Sequence, residues 1–284
     1  MQDNYTQDFD LIRDAAQEAG KLALSYWGRS IQKQRKADGS EVTEADHAVD
    51  ELLAARLRGA RPGYGWFSEE SAEHDDRLHA RRVWIVDPID GTRAFIQGGN
   101  DWVIALALIE DHVPVLAAVV NPVRGEVFEA RVGAGAFLNG RRLHASKQGA
   151  LAGARLAVPD SLLKPNRWRR PWPAVTFVLA NSIIYRMALV ASGKADASFA
   201  TKPKWEWDVA AGALLVSEAG GIVTDACGFP LAFNSREAKV PGFLAAAPKL
   251  HHILAERMGD ALDGAPVAQN HPAFDSTRSK RTVD

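Results

Sequence analysis

Cysteine is nearly absent from this 284-residue chain, with Cys227 the only one. A single thiol closes no intrachain disulfide and builds no cysteine-rich zinc site, so the core must hold the fold and a reducing compartment is expected. Net charge is absent as well. The formal value of −1 offers no global attraction to a nucleic-acid polymer or an anionic membrane. No run of about 18 apolar residues occurs, and the start, Met1 to Asp8, is polar and acidic rather than basic and then apolar. A soluble, cytoplasmic protein is the expectation. The histidines lack zinc-ligand spacing, there is no Gly-x-Ser-x-Gly elbow, and Ser192-Gly193-Lys194 lacks the upstream glycine of a Walker A loop. Gly133 to Gly140 looks superficially like a dinucleotide fingerprint, but the third glycine is missing and Asn139-Gly140 is a hairpin signal.

What is present is an ample apolar fraction, 46%, and one stretch dense in chemistry. Val83-Trp84-Ile85-Val86 reads as a buried strand, and Asp87-Pro88-Ile89-Asp90-Gly91-Thr92 follows at once. Pro88 disfavours helical geometry at Asp87, Gly91 permits a tight turn, and the pattern from Thr92 suits a helix. Amides at a helix start attract an anion, while two neighbouring carboxylates repel one unless a cation intervenes. Metal plus phosphate is the chemistry suggested. Taken alone, the same residues could be a strand, a turn and a helix whose aspartates cap backbone donors.

Other acids bear on that choice. Apolar residues from Phe9 to Trp27 recur at helical spacing; after a polar stretch, Lys33 to Ser40, a second helix follows Val42-Thr43-Glu44-Ala45-Asp46. Thr43 and Asp46 have capping-box spacing, so Asp46 is as readily structural as functional. Gly63 to Phe67 is a short aromatic strand running into Ser68-Glu69-Glu70-Ser71. Trp102 to Ile109 and Val113 to Val120 make a hairpin, and Ile183 to Ala191 a helix stopped at Gly193. A further helix begins near Asp208 and ends at Gly220-Gly221, with Asp208 as metal ligand or N-cap. Arg167, Arg169 and Arg170 interleave with Trp168 and Trp172, a weak tilt toward a nucleotide. A boundary is expected near residue 145, giving subdomains 1–145 and 146–264 and a polar, disordered tail 265–284. Glu69, Asp87, Asp90 and Asp208 all fall at strand ends or helix starts, and an all-oxygen set points to magnesium.

In this pattern the chain resembles the inositol monophosphatase superfamily of magnesium-dependent, lithium-sensitive phosphatases. Its first signature looks like Trp84 to Thr92, its second like Trp207-Asp208-Val209-Ala210-Ala211-Gly212 through Glu218-Ala219-Gly220-Gly221, with Glu69-Glu70 and Val42 to Asp46 in the expected order. The resemblance implies an α+β fold, a layered α/β/α/β/α sandwich, forming a homodimer. It implies two or three Mg2+ held by Glu69, Asp87, the Ile89 carbonyl, Asp90 and Asp208. Gly91 and Thr92 amides would take the phosphate, and a metal-activated water oriented by Glu69 and the Thr92 hydroxyl would attack phosphorus, with Asp46 in the outer network.

The family does not fix the substrate. The inositol branch has Thr-Asn after Gly-Thr, where this chain has Arg93-Ala94, and a glutamate seven residues before the last metal aspartate, where this chain has Thr201. With Lys202 and Lys204 nearby, these departures favour a 3'(2'),5'-bisphosphate nucleotidase, with Arg93, Lys204 and Asp208 against the substrate. The alternatives are an inositol-1-phosphate or histidinol-phosphate phosphatase, or a non-catalytic regulator that binds metal or phosphate.

Overall fold

The computed structural model describes residues 5–36, 39–71 and 75–261. The tail expected to be disordered, 265–284, lies outside them. Helix α1 (Thr6–Tyr26) buries Ile12, Ala15, Ala16, Ala19 and Ala23, the three- and four-residue spacing that puts one stripe on the core. Next come β1 (Lys33–Arg35) and β2 (Glu41–Thr43), an antiparallel pair where only a polar linker was expected. Lys33, Gln34 and Arg35 are all exposed, so their pairing is a backbone matter and leaves no apolar period. Helix α2 (Glu44–Ala60) begins with the expected capping box, the Thr43 hydroxyl accepting from the Ala45 amide and Asp46 accepting from the Thr43 amide.

A seven-stranded sheet follows: β3 (Gly65–Ser68), β4 (Arg82–Asp90), then after the short helix α3 (Thr92–Ile96) β5 (Val103–Glu110), β6 (Val113–Asn121), β7 (Glu126–Arg131), β8 (Gly135–Leu138) and β9 (Arg141–Arg142). These strands lie side by side in chain order, parallel only between β3 and β4. Continuous apolar runs in β4 to β6 reflect a sheet covered on both faces. Trp84, Val86, Ile104, Leu106, Leu108, Leu116 and Ala118 face α1 and α2, whereas Val83, Ile85, Val103, Ala105, Ala107 and Ala117 face the opposite core. Burying each larger side chain contributes about 1.5–3 kcal/mol.

The second half supplies β10 (Arg155–Leu156), β11 (Thr176–Phe177), α4 (Ile183–Ala191), β12 (Ala197–Ala200), β13 (Lys204–Trp205), α5 (Ala210–Glu218), β14 (Ile222–Thr224), β15 (Lys239–Val240), β16 (Phe243–Ala246) and α6 (Pro248–Met258). Five of the strands form a sheet in the order β11-β10-β12-β16-β14, and β13 pairs with β15. Helices α4 and α5 are sandwiched: their residues join β4 and β5 on one side, and Phe243 and Ala245 of β16 on the other, in one core. Leu244 and Ala246 point the opposite way, onto Leu250 and Leu254 of α6. The layers are therefore α1/α2, sheet, α4/α5, sheet and α6, the α+β five-layer sandwich expected.

One expectation is corrected and another holds. The central strand does not stop at Val86; it runs to Asp90, and its pairing with β5 breaks register between Asp87 and Asp90, across the proline that cannot donate. The Gly133 to Gly140 stretch is a hairpin: Asn139 and Gly140 both have positive φ, 48° and 75°. Glu218, at the end of α5, accepts from the Gly133 and Gly135 amides at 2.8 and 2.7 Å and pins the β7–β8 turn.

Candidate active site

The register break in β4 puts Asp87 and Asp90 at the irregular end of the strand, both buried, at 2% and 8% exposure. Gly91 then turns the chain with φ of 99°, a left-handed conformation in which an added Cβ would stand 3.2 Å from the Asp101 carbonyl. Thr92 opens α3, and its hydroxyl donates to the Ile89 carbonyl at 3.1 Å and reaches Asp46 Oδ1 at 3.4 Å. Asp46 is shared in this way between two duties. One oxygen caps α2 and the other faces Thr92.

Glu69 and Glu70 follow β3, which runs parallel to β4, and the Glu69 amide donates to the Val86 carbonyl at 3.3 Å. Their loop is braced from α2: Asp50 accepts from Ser68 Oγ at 2.5 Å and from Ser71 Oγ at 2.6 Å, one serine on each side of the glutamates. Lys36, just after β1, donates to Glu69 at 2.8 Å and Glu70 at 2.7 Å. Asp50, Lys36 and the serines carried no signal of a role, since only the three-dimensional neighbourhood of Glu69 gives them one.

Asp90 is held by a different helix. Its Oδ2 accepts from Ser182 Oγ and the Ile184 amide, each at 2.6 Å, and its Oδ1 from the Ile183 amide at 3.3 Å, so it caps α4 from across the chain. The capping reading of these acids is thus true in part, for Asp46 and Asp90. It fails for Asp208, which lies before α5: that helix is capped by Val209 and receives no side-chain hydrogen bond there. It fails for Asp87 too, whose Oδ1 is buried without any hydrogen-bond partner among the described residues.

Electrostatics tie the acids into one cluster. Burial first, then Glu69, Asp90 and Asp208, hold the Asp87 carboxyl well above its ordinary range. Burial and then Asp90 and Glu69 push Asp208 up to about 8. Asp90 is raised by burial against the opposing hydrogen bonds of Ser182 and Ile184 and the charge of Arg186. Asp46 goes up to about 6 and Glu70 to about 7, burial again leading, opposed by Thr43 and by Lys36 respectively. Groups that raise one another's pKa in this way are crowded carboxylates awaiting a positive charge. Among the described residues, no three acidic, histidine or cysteine side chains form a ready-made metal cage; Asp90 is turned onto α4 and Glu69 onto Lys36.

The other expected residues divide. Lys204 lies near enough to Asp208 to lower its pKa. Arg93 is exposed on α3. The Arg/Trp loop does not offer its rings: Trp168 and Trp172 pack edge to face with each other and against Phe199 in the core beneath α6, and the Trp168 indole donates to the Leu162 carbonyl. The expected tilt from those aromatics is withdrawn.

The sequence model of the inositol monophosphatase family matches residues 5–261. The chain belongs to that family. Its relatives carry several names. It is 34% identical over 229 residues to a Nus factor SuhB of Xylella fastidiosa, covering 76% of this chain and 81% of that protein. It is 32% identical over 248 residues to a 3'(2'),5'-bisphosphate nucleotidase CysQ of Aggregatibacter actinomycetemcomitans, covering 82% and 90%. A solved IMPase of Thermotoga maritima superposes with a TM-score of 0.77 at 26% identity, over 89% of this chain and 96% of that one. The family's phosphatases are hydrolases, and no described helix is long and apolar enough to cross a membrane.

Proposed function

We propose that the chain is a magnesium-dependent phosphomonoesterase acting on a free small molecule in the cytoplasm, with adenosine 3',5'-bisphosphate, converted to AMP, as its best substrate. The observation that supports the reaction class most is Asp87 Oδ1. A buried carboxylate oxygen without a partner among the described residues, close to four further acids, is costly unless a cation is part of the site. Carboxylate and carbonyl oxygens suit a hard ion, so Glu69, Asp87, the Ile89 carbonyl, Asp90 and Asp208 would hold Mg2+, two or three ions, in a site sensitive to lithium. When bound, such ions supply charge neutralisation on phosphate oxygens and acidify water.

The chain's own groups do the rest. Gly91 and Thr92 present the phosphate to the start of α3, on a left-handed turn that packs closely against Asp101 and Ser182 where a Cβ would press. The Thr92 hydroxyl, flanked by the Ile89 carbonyl and Asp46, orients the attacking water, and Asp46 and Glu69 are the acceptors placed to receive its proton. Lys36 balances Glu69 and Glu70 from the β1–β2 side.

Arg93 and Lys204 support the choice of a substrate with two phosphates, and the nucleotidase among the relatives is consistent with it. The working unit is a homodimer: the edge strand β11 and the residues after it expose Phe177 and Leu179, the latter at 79%, as an interface would. Phosphate release measured with adenosine 3',5'-bisphosphate, inositol 1-phosphate, histidinol phosphate and fructose 1,6-bisphosphate tests the reading. The first should turn over fastest, only with magnesium; no release from any of the four would refute the enzyme.

A further inference from the structure

Two residues before Asp208 stands Glu206, buried at 0% exposure. Its carbonyl accepts from the Val209 and Ala210 amides at 3.1 and 2.9 Å, so the turn that carries Asp208 is anchored where it begins. Its carboxylate is turned onto residues 234 and 235: one oxygen accepts from the Asn234 amide at 2.5 Å, the other from the Ser235 amide and hydroxyl at 2.8 and 2.6 Å. Asn234 holds a φ of 60°, a left-handed conformation that asparagine tolerates through its short polar side chain. Arg77, in the 3-10 turn Asp75–His79 and 2% exposed, grips the same two residues. Its Nη1 donates to Asn234 Oδ1 and to the Ser235 carbonyl at 2.8 and 2.9 Å, and the Asn234 side-chain amide donates back to the Arg77 carbonyl at 2.8 Å.

The contacts close on themselves. The Arg77 guanidinium lies 4.1 Å above the ring of Phe67, and Phe67 packs edge-on against Trp207 at 4.9 Å. Trp207, stacked in turn on Trp205, is joined to Glu206 by one peptide bond. Glu206, the 234–235 pair, Arg77, Phe67 and Trp207 thus form a circuit in which no member shifts alone: moving the pair strands a buried carboxylate and a buried guanidinium, and moving Phe67 uncovers Arg77. Two acids of the cluster leave this circuit directly. Glu69 follows Phe67 by two residues and Asp208 follows Trp207 by one, and both act on Asp87.

We propose that Glu206, Arg77, Phe67 and Trp207 are positioning residues that fix the separation of Glu69 from Asp208, and that through it they set which size of divalent cation the acids accept. The proposal rests on the reading that Glu69 and Asp208 hold metal. Magnesium takes oxygens at about 2.0–2.1 Å in near-octahedral order, whereas calcium takes about six to eight at roughly 2.3–2.6 Å in looser arrangements. Acids that cannot spread favour the smaller ion. A broken circuit frees the Glu69 and Asp208 backbones to part, which relieves calcium more than magnesium.

Calorimetric titration of magnesium chloride and of calcium chloride into the metal-free full chain gives two dissociation constants and their ratio, calcium over magnesium. Trp207→Leu, at a half-buried position, and Arg77→Gln should each lower that ratio about fivefold or more, whereas Trp207→Phe, which keeps an aromatic edge against Phe67, should hold it within about twofold of the unaltered protein. Combining Trp207→Leu with Arg77→Gln should lower it no further than the larger single effect, because both break one circuit. If Arg77→Gln does not fold by circular dichroism, the two Trp207 variants decide the matter. Magnesium and calcium weakened by one common factor, or an unmoved ratio, would overturn the proposal and leave these residues a role in folding alone; so would additive effects in the double variant. If the unaltered protein binds neither ion, the metal reading of Glu69 and Asp208 has failed and the proposal falls with it.

Discussion

Gly91 is the residue on which the proposed phosphate site is most sharply poised. Its φ of 99° is one that side chains rarely adopt, and a Cβ would press on the Asp101 carbonyl and on Ser182. Gly91→Ala should therefore cost about 1–2 kcal/mol of stability and displace Asp90 on one side and Thr92 on the other, lowering kcat at least tenfold. Thermal melting and steady-state kinetics check both, and an active, equally stable variant would show the turn to be incidental. Asp90→Asn separates charge from shape. Asn can still accept from Ser182 and the α4 amides with one oxygen, so the fold should survive by circular dichroism while magnesium-dependent turnover is lost. Retained turnover would remove Asp90 from the machinery.

At the scale of elements, α2 does more than cover the sheet. From successive turns it sends Asp46 to Thr92 and Asp50 to the two serines that bracket Glu69 and Glu70. Asp50→Ala leaves the Ser68 hydroxyl, in a residue 4% exposed, without its acceptor, a loss of about 1–3 kcal/mol, and frees the glutamate loop. The expected signature is a higher magnesium concentration for half-maximal activity with little change in KM for substrate; an unchanged magnesium requirement would make the brace purely structural. Much of this was legible in the sequence. Thr43 and Asp46 carried the capping box, Asp87 to Thr92 the strand-to-helix transition, and α4 the right ends, because each depends on local chemistry within a few residues. The pairing of Asp90 with Ser182, of Glu69 with Lys36 and of Glu218 with the β7–β8 turn was not legible, since each joins residues 33 to 92 positions apart whose partners only the fold selects. Trp168 and Trp172 misled for the same reason: aromatics beside arginines look alike whether they stack on a base or on Phe199.

Across the whole molecule, the acidic cluster links stability to pH and, on the proposed reading, to metal. Asp46, Glu70 and Asp208 stand at about 6, 7 and 8 in the folded protein, against roughly 4 for the same groups in an unfolded chain. A folded-state pKa above the unfolded one means that the native protein binds more protons in between, so this contribution is complete below about pH 4 and is lost as pH rises through 6 to 8. Without divalent metal, in EDTA, the melting temperature should fall between pH 6 and pH 8.5. If these acids hold magnesium as proposed, the ion would compete with those protons and bind only the native state, adding about 2.7 kcal/mol at a hundredfold excess over its Kd, a rise on the order of 5–10 °C for a domain this large. The gap between melting curves with magnesium and with EDTA should therefore widen as pH rises, and Asp208→Asn should flatten the decline in EDTA while shrinking the gap. Differential scanning calorimetry at four pH values decides it: a gap that is absent, or the same at pH 6 and 8.5, would mean that these acids are not the groups that take the metal.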